Sequence, residues 1–214
     1  MKRYMPFVLV ALLAVFAAQA SADNLLVNGS FQSNDFTGWT IGTTSNGTWG
    51  QGYPIVTGWP LGGGLNAAEG EVGGGSPGNF QGGTLSQSFV SGAGAATLSF
   101  SYAAMGDGIH TNADGGDFVL VLDGTELANF DVGQITANQI ISGSLSANAN
   151  LTAGTHTFEI EVLRQYGQAQ GNTPYQFVTS ADVEGQGVPE PGSFVLFISG
   201  ALGVASVVTR KLGL

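Results

Sequence analysis

The residues of this chain best equipped for chemistry are acids, amides and aromatic rings set among glycines. Asp107, Asn112, Asp114 and Asp117 fall in one short run with Gly108, Gly115 and Gly116. Calcium takes six to eight oxygen ligands, and Asp and Asn carried on glycine turns can wrap such an ion. The run lacks the Asp-x-Asp-x-Asn-Gly order and closing Glu of an EF-hand. The same residues also favour turns by bonding their own backbone, so an Asp/Gly turn between strands is the competing reading. A second set is aromatic. Trp49, Tyr53 and Trp59 lie close together beside Gln51, and Tyr166 and Tyr175 flank a polar loop, Gly167 to Asn172. Aromatic faces stack on sugar rings while amides and carboxylates meet the hydroxyls. Rings in glycine-rich loops also serve as anchors that pack on a scaffold. Trp39, just after Gly38, reads as core.

Catalytic signals are weak. The chain has 2 histidines. His156 falls in register with the inward face of a strand, and His110 sits in the Asp/Gly run. There is no Gly-x-Ser-x-Gly elbow, His-Glu-x-x-His or phosphate loop. Glu159 and Glu161 share a strand face, where a glycosidase pair is conceivable, but adjacent acids there read as a solvated surface. We expect no enzyme. With 0 cysteines, thiolate zinc sites and paired-Cys haem attachment are excluded. Four of the 5 basic residues lie near the chain ends, and between them fourteen acids face the single cation Arg164, leaving a net charge near −13. Such a body cannot neutralise phosphates, so nucleic acid is excluded as a partner.

The elements that must position these residues read as strands. No long stretch carries a helical apolar stripe, and several alternate at period two. Leu85 to Val90, Thr97 to Tyr102, Gln139 to Ser146, Thr155 to Val162 and Gln176 to Glu184 are strands. Asp117 to Leu122 is continuously apolar and reads as a central strand; Asp123-Gly124 then turns the chain into Thr125 to Val132. Gly42 to Gly83 shows few clear strands and reads as a long loop-rich insertion, with Gly62 to Gly64 and Gly73 to Gly75 barred from strand interiors. The fold class expected is all-β, a two-sheet antiparallel sandwich or barrel.

Both ends read as targeting segments. Lys2 and Arg3, an apolar Phe7 to Ala18 and the small-residue site Ala20-Ser21-Ala22 make a secretory signal peptide, residues 1–22. At the other end, Val188, Pro189, Glu190 and Pro191 precede an uncharged run from Phe194 to Thr209 and then Arg210 and Lys211. As a helix that run spans about 24 Å, slightly less than a bilayer core. The basic pair favours the cytoplasmic side, and the prolines keep the outer flank extended. An ordinary membrane anchor would share part of this pattern. In its order the tail, 188–214, resembles the PEP-CTERM sorting signal of Gram-negative bacteria. That resemblance implies a transmembrane helix held in the inner membrane, cleavage by an exosortase, and delivery to the cell surface or exopolysaccharide matrix.

The remaining domain, 23–187, carries a second resemblance. Asn24 to Phe31, followed by Gly38-Trp39, is similar to the opening of galactose-binding-like jelly rolls, which include many carbohydrate-binding modules. Leu151 to Phe158 resembles their penultimate strand, and Ser180 to Val183 their last. The resemblance implies a jelly roll with its first and last strands together. It also implies a structural calcium there, with Asp182 matching one acidic ligand and Gln32 standing where the other acid belongs. A Gln amide oxygen ligates calcium more weakly than a carboxylate. The function expected is binding or organising exopolysaccharide, with a structural or adhesive matrix role and a polysaccharide-active enzyme as alternatives.

Overall fold

Alternation at period two builds the long strands. In Gly154–Gln165, His156, Phe158, Ile160, Val162 and Arg164 turn inward, while Glu159 and Glu161 face the other way. The computed structural model describes residues 24–43, 49, 52–73, 80–165 and 173–185. The signal segment, the sorting tail, Gln51 and Tyr166 lie outside them. In chain order the strands are β1 Thr40–Thr43, β2 Ile55–Gly58, β3 Asn66–Gly70, β4 Phe80–Ser91, β5 Gly94–Met105, β6 Asp117–Leu122, β7 Thr125–Asp131, β8 Ile140–Leu151, β9 Gly154–Gln165 and β10 Tyr175–Glu184. They form two 5-stranded antiparallel sheets, β1-β4-β9-β6-β7 and β2-β3-β10-β5-β8. The protein is an all-β jelly-roll sandwich, and no helix occurs among the described residues.

The inner faces meet in one core. Leu85, Phe118, Phe158 and Ile160 from one sheet pack against Leu98, Phe100, Val178 and Val183 from the other. β6 runs between β9 and β7 and is buried on both faces, Val119 and Val121 included, which explains its unbroken apolar sequence. Asp123 (φ 50°) and Gly124 (φ 75°) close the β6–β7 hairpin as a left-handed pair, the geometry that Asp-Gly favours.

The opening segment lies along the last strand. The Asn24 amide donates to the Ala181 carbonyl at 2.9 Å, and its oxygen accepts from the Val183 amide at 3.1 Å. A Cβ on Gly29 would fall 2.0 Å from the Ala181 carbonyl oxygen, so only glycine admits this approach. Phe31 stacks on Trp39 at 5.6 Å, and Trp39 meets the Phe158 ring edge at 6.2 Å. Trp39 is core, as its position suggested.

The Gly42 to Gly83 stretch is not a loop insertion. Its described residues supply the end of β1, all of β2 and β3 and the start of β4, and β2 and β3 form a hairpin, Ile55↔Glu69 to Gly58↔Asn66, that joins the sheet through β10. These strands escaped notice because they are 4 or 5 residues long and carry small residues. The reason for the small residues is local. Cβ atoms on Gly70 and Gly83 would lie 2.0 and 1.5 Å from the Trp49 indole, which fills the slot between the two sheets.

Candidate functional site

The outward face of β2-β3-β10-β5-β8 carries an aromatic cluster. Alternation along β10 sends Gln176 and Val178 inward and Tyr175 and Phe177 outward. Phe177 pairs directly with Ala103 of β5 and Glu69 of β3, and Tyr175 pairs with Met105. Although it points away from the core, Phe177 is only 4% exposed, because Trp59, Tyr175 and Met105 crowd over it. Ala67 and Ala103 leave room for the rings. Trp59 is fixed where β2 ends: its amide donates to the Leu65 carbonyl at 2.8 Å, and its carbonyl accepts from Gly62 at 3.0 Å. Gly62, Gly63 and Gly64 all take positive φ in that turn, which explains the glycine run.

Acids flank the cluster. Burial, then the charge of Glu71, raises the Glu69 carboxyl above its usual range. Burial also raises Glu71, against the pull of Arg164. The Tyr53 and Tyr175 phenols are pushed up by burial first and by the Glu69 and Glu71 charges after it. Two phenols and two carboxylates therefore share one electrostatic field, with Trp59 packed in the same cluster as Tyr175. Half-exposed rings offer faces to a sugar's C–H surface, and the carboxylates accept from hydroxyl or amino donors.

Of the five aromatic candidates, the structure brings Trp59 and Tyr175 together and places Tyr53 within reach of the same carboxylates. Trp49 is a correction: at 2% exposure, wedged against Gly70 and Gly83, it presents no face to a ligand. Tyr166 lies outside the described residues. Phe177, Met105, Glu69 and Glu71 escaped the sequence reading. The β10 alternation held the signal for Phe177, but β3 was not recognised as a strand.

The calcium candidates are dispersed. Gln32 is exposed and its amide donates to the Ser30 carbonyl at 3.3 Å. Asp182 follows a bulge in β10, with Ser180 at φ 51°. Its Oδ1 is buried without a hydrogen-bond partner, and burial followed by the Glu184 charge raises its carboxyl. That oxygen fits one calcium ligand, but no hydrogen bond joins it to Gln32. In the Asp/Gly run the four residues make separate contacts, as an Asp/Gly turn between strands does. Asp107 accepts from the Ile109 and His110 amides and the His110 ring. Asn112 accepts from Arg164 at 3.1 Å, and Asp114 accepts from the Gly116 and Gln165 amides. Asp117 faces Asp131 across the β6–β7 ladder. Among the described residues no three His, Asp or Glu side chains are grouped to hold a metal ion.

Two further constellations complete the chemistry. Asp117, Glu126, Asn129 and Asp131 line an open groove of about 340 Å³ on the outer face of the other sheet, floored by Val119 and Leu163. Burial and then the Asp131 charge push Asp117 up to about 7. Glu159 and Glu161 on the same face are half-buried rather than fully solvated. On the inner side, Arg164 is 3% exposed and donates to the Asp114 carbonyl at 2.7 Å and the Val72 carbonyl at 3.3 Å. Gln176 bonds the Val72 amide and the Gly115 carbonyl, tying the two sheets at this end.

No family model matches the chain, and no curated protein matches it. Among solved structures, it is similar to TmCBM61 in complex with β-1,4-galactotriose, at 15% identity and a TM-score of 0.48, covering 75% of this chain and 97% of that one. It is similar to the K1 cleaved adhesin domain of Lys-gingipain from Porphyromonas gingivalis W83, at 12% identity and a TM-score of 0.48, covering 74% and 96%. The CBM22-1 xylan-binding domain of Xyn10C from Paenibacillus barcinonensis matches at 14% identity and a TM-score of 0.43, covering 80% and 99%. In the CBA120 phage tailspike protein 4 and the MgGH51 α-L-arabinofuranosidase, the chain spans only 21% and 27% of the longer protein.

Proposed function

We propose that this protein is an exported, non-enzymatic glycan-binding module that holds polysaccharide on the outward face of β2-β3-β10-β5-β8. The observation that carries the reading is the convergence of Trp59 and Tyr175 over Phe177 with Glu69 alongside. In this reading the 1–22 segment directs export, and an exosortase processes the 188–214 tail at Val188 to Pro191 after a transient stay in the inner membrane. The product reaches the cell surface or matrix of a Gram-negative bacterium and binds exopolysaccharide there. Calcium is a further proposal, with the Asp182 oxygen as one ligand. Its test is a rise in melting temperature with calcium that Asp182→Asn abolishes.

The enzymatic alternative gains little from the Asp117–Asp131 pair. Glycosidase carboxyls flank the scissile bond about 5 to 9.5 Å apart, whereas these two stand directly opposite each other in the β6–β7 ladder, where burial and then the Asp131 charge push Asp117 up to about 7. The test is a glycan array probed with the protein and its Trp59→Ala and Tyr175→Ala variants, with reducing ends assayed in parallel. We expect saturable binding to a defined sugar, weakened about tenfold or more by either variant, at unchanged melting temperature. Absence of binding by the folded protein would leave a structural or adhesive role, and release of reducing ends would establish the enzyme.

A further inference from the structure

We propose that this face selects glycans bearing free amino groups, polymers of 2-amino-2-deoxyhexose, over neutral and acidic sugars. The inference rests on the glycan-binding reading and adds the charge class of the ligand.

Glu69 faces Phe177 across the β3–β10 ladder, and Glu71 follows just past the end of β3. Both act on the phenols of Tyr53 and Tyr175, and Asp107 adds to the field at Tyr175. The ion pairs among the described residues are His110–Asp107 and His156–Asp123, and neither involves Glu69 or Glu71. The body's one Lys or Arg, Arg164, is buried, donates to the Asp114 and Val72 carbonyls and the Asn112 amide oxygen, and attracts Glu71, so among the described residues Glu69 is the acid of this pair on which no cation acts.

Among the described residues the face thus combines aromatic surface with the Glu69 and Glu71 carboxylates, and the one Lys or Arg, Arg164, is buried. An ammonium on a sugar ring stacked at Trp59 and Tyr175 gains from both partners, through cation–π attraction to the rings and charge-assisted hydrogen bonds to the carboxylates. A neutral sugar keeps only the stacking and ordinary hydrogen bonds. A uronic acid meets the Glu69 and Glu71 carboxylates, and like charges brought together disfavour it. Acetylation of the amine removes the charge and leaves the ring unchanged, so the acetylated polymer is the matched control.

The test is titration of the full chain, purified in mild detergent, with hexamers of β-1,4-linked glucosamine, N-acetylglucosamine, glucose and a uronic acid. We expect the glucosamine hexamer to bind about tenfold or more tighter than its acetylated and neutral counterparts. That preference should shrink with added salt and as the pH rises through the amine's own pKa. Glu69→Gln with Glu71→Gln should abolish the preference while leaving weak binding to all the uncharged hexamers; Trp59→Ala should abolish both. The hexamer comparison on the unaltered protein decides the question without any variant. Equal binding of the three uncharged or amino hexamers would overturn the inference and leave the glycan reading standing, as would a preference for the uronic acid. No binding to any hexamer would overturn both.

Discussion

His156 has an acceptor at each ring nitrogen: Nδ1 lies 2.7 Å from an Asp123 carboxylate oxygen and Nε2 lies 2.9 Å from the Thr152 carbonyl oxygen. A neutral imidazole has one N–H, so only the imidazolium satisfies both. The Asp123 bond first, then the Thr152 bond, raises His156 above its ordinary 6.5. Burial works against Asp123, but bonds from His156 and the Thr157 amide hold its carboxyl below 3.8. The His156 contribution is fully present below its unfolded pKa and lost as pH rises through the folded one. The Asp123 contribution is present above its own unfolded pKa and lost as pH falls through its folded one. The staple is therefore strongest between about pH 4 and 6.5. We expect His156→Asn to flatten the fall in melting temperature between pH 6 and 8; an unchanged slope would show that the pair does not couple to stability. Asp117 works in the opposite direction. Its raised pKa of about 7 costs stability progressively as pH rises from about 4 to 7. Asp117→Asn should raise the melting temperature at pH 8 by ~3–6 °C, from a gain of roughly 1–2 kcal/mol after allowance for solvent screening, and by little at pH 4. No difference between the two pH values would contradict this sign.

The β2–β3 hairpin governs both the interior and the candidate site, because Trp49 packs on its inner side and Trp59 caps its outer side. On the inner side the indole replaces the side chains missing at Gly70 and Gly83. Gly83→Ala forces a methyl into the ring, and we expect destabilisation of about 1–3 kcal/mol by overpacking. Trp49→Ala should cost about 3–5 kcal/mol. Denaturant melts measure both, and a neutral Gly83→Ala would show that Trp49 does not occupy the slot. This hairpin also marks where sequence reading failed. A strand of Asn66, Ala67, Ala68, Glu69 and Gly70 shows no apolar alternation, because Trp49 and Trp59, outside the strand, supply its packing. Where strands carry their own alternation, as in Thr155 to Val162, or a diagnostic turn, as at Asp123-Gly124, the elements were legible directly.

For the whole molecule, the sandwich class followed from period-two strands and glycine turns. The resemblance of Asn24 to Phe31 and Ser180 to Val183 to jelly rolls implied that the two chain ends of the domain meet; in the structure the opening segment before β1 lies along β10, with Gly29 against the Ala181 carbonyl. The site was legible only in part. Trp59 and Tyr175 stood out as aromatics beside polar loops, but their convergence depends on strand order: β3 and β10 are neighbours although more than a hundred residues separate their sequences. Single-sequence patterns do not encode such pairings. The acidic run from Asp107 to Asp117 shows the converse. Its members are close in sequence, but strand geometry and backbone bonding turn them to different tasks.

The chain has 3 tryptophans, of which Trp39 and Trp49 are buried and Trp59 stands at the proposed binding face. The most direct measurement is a two-dimensional NMR titration of the 15N-labelled protein with the glycan it binds best, following the three indole N–H signals. We expect the Trp59 indole and the Tyr175 amide to shift with saturation while Trp39, Trp49 and the amides of Asp117 and Asp131 stay in place. Shifts centred on the Asp117–Asp131 groove, with Trp59 unmoved, would contradict the placement of the binding face.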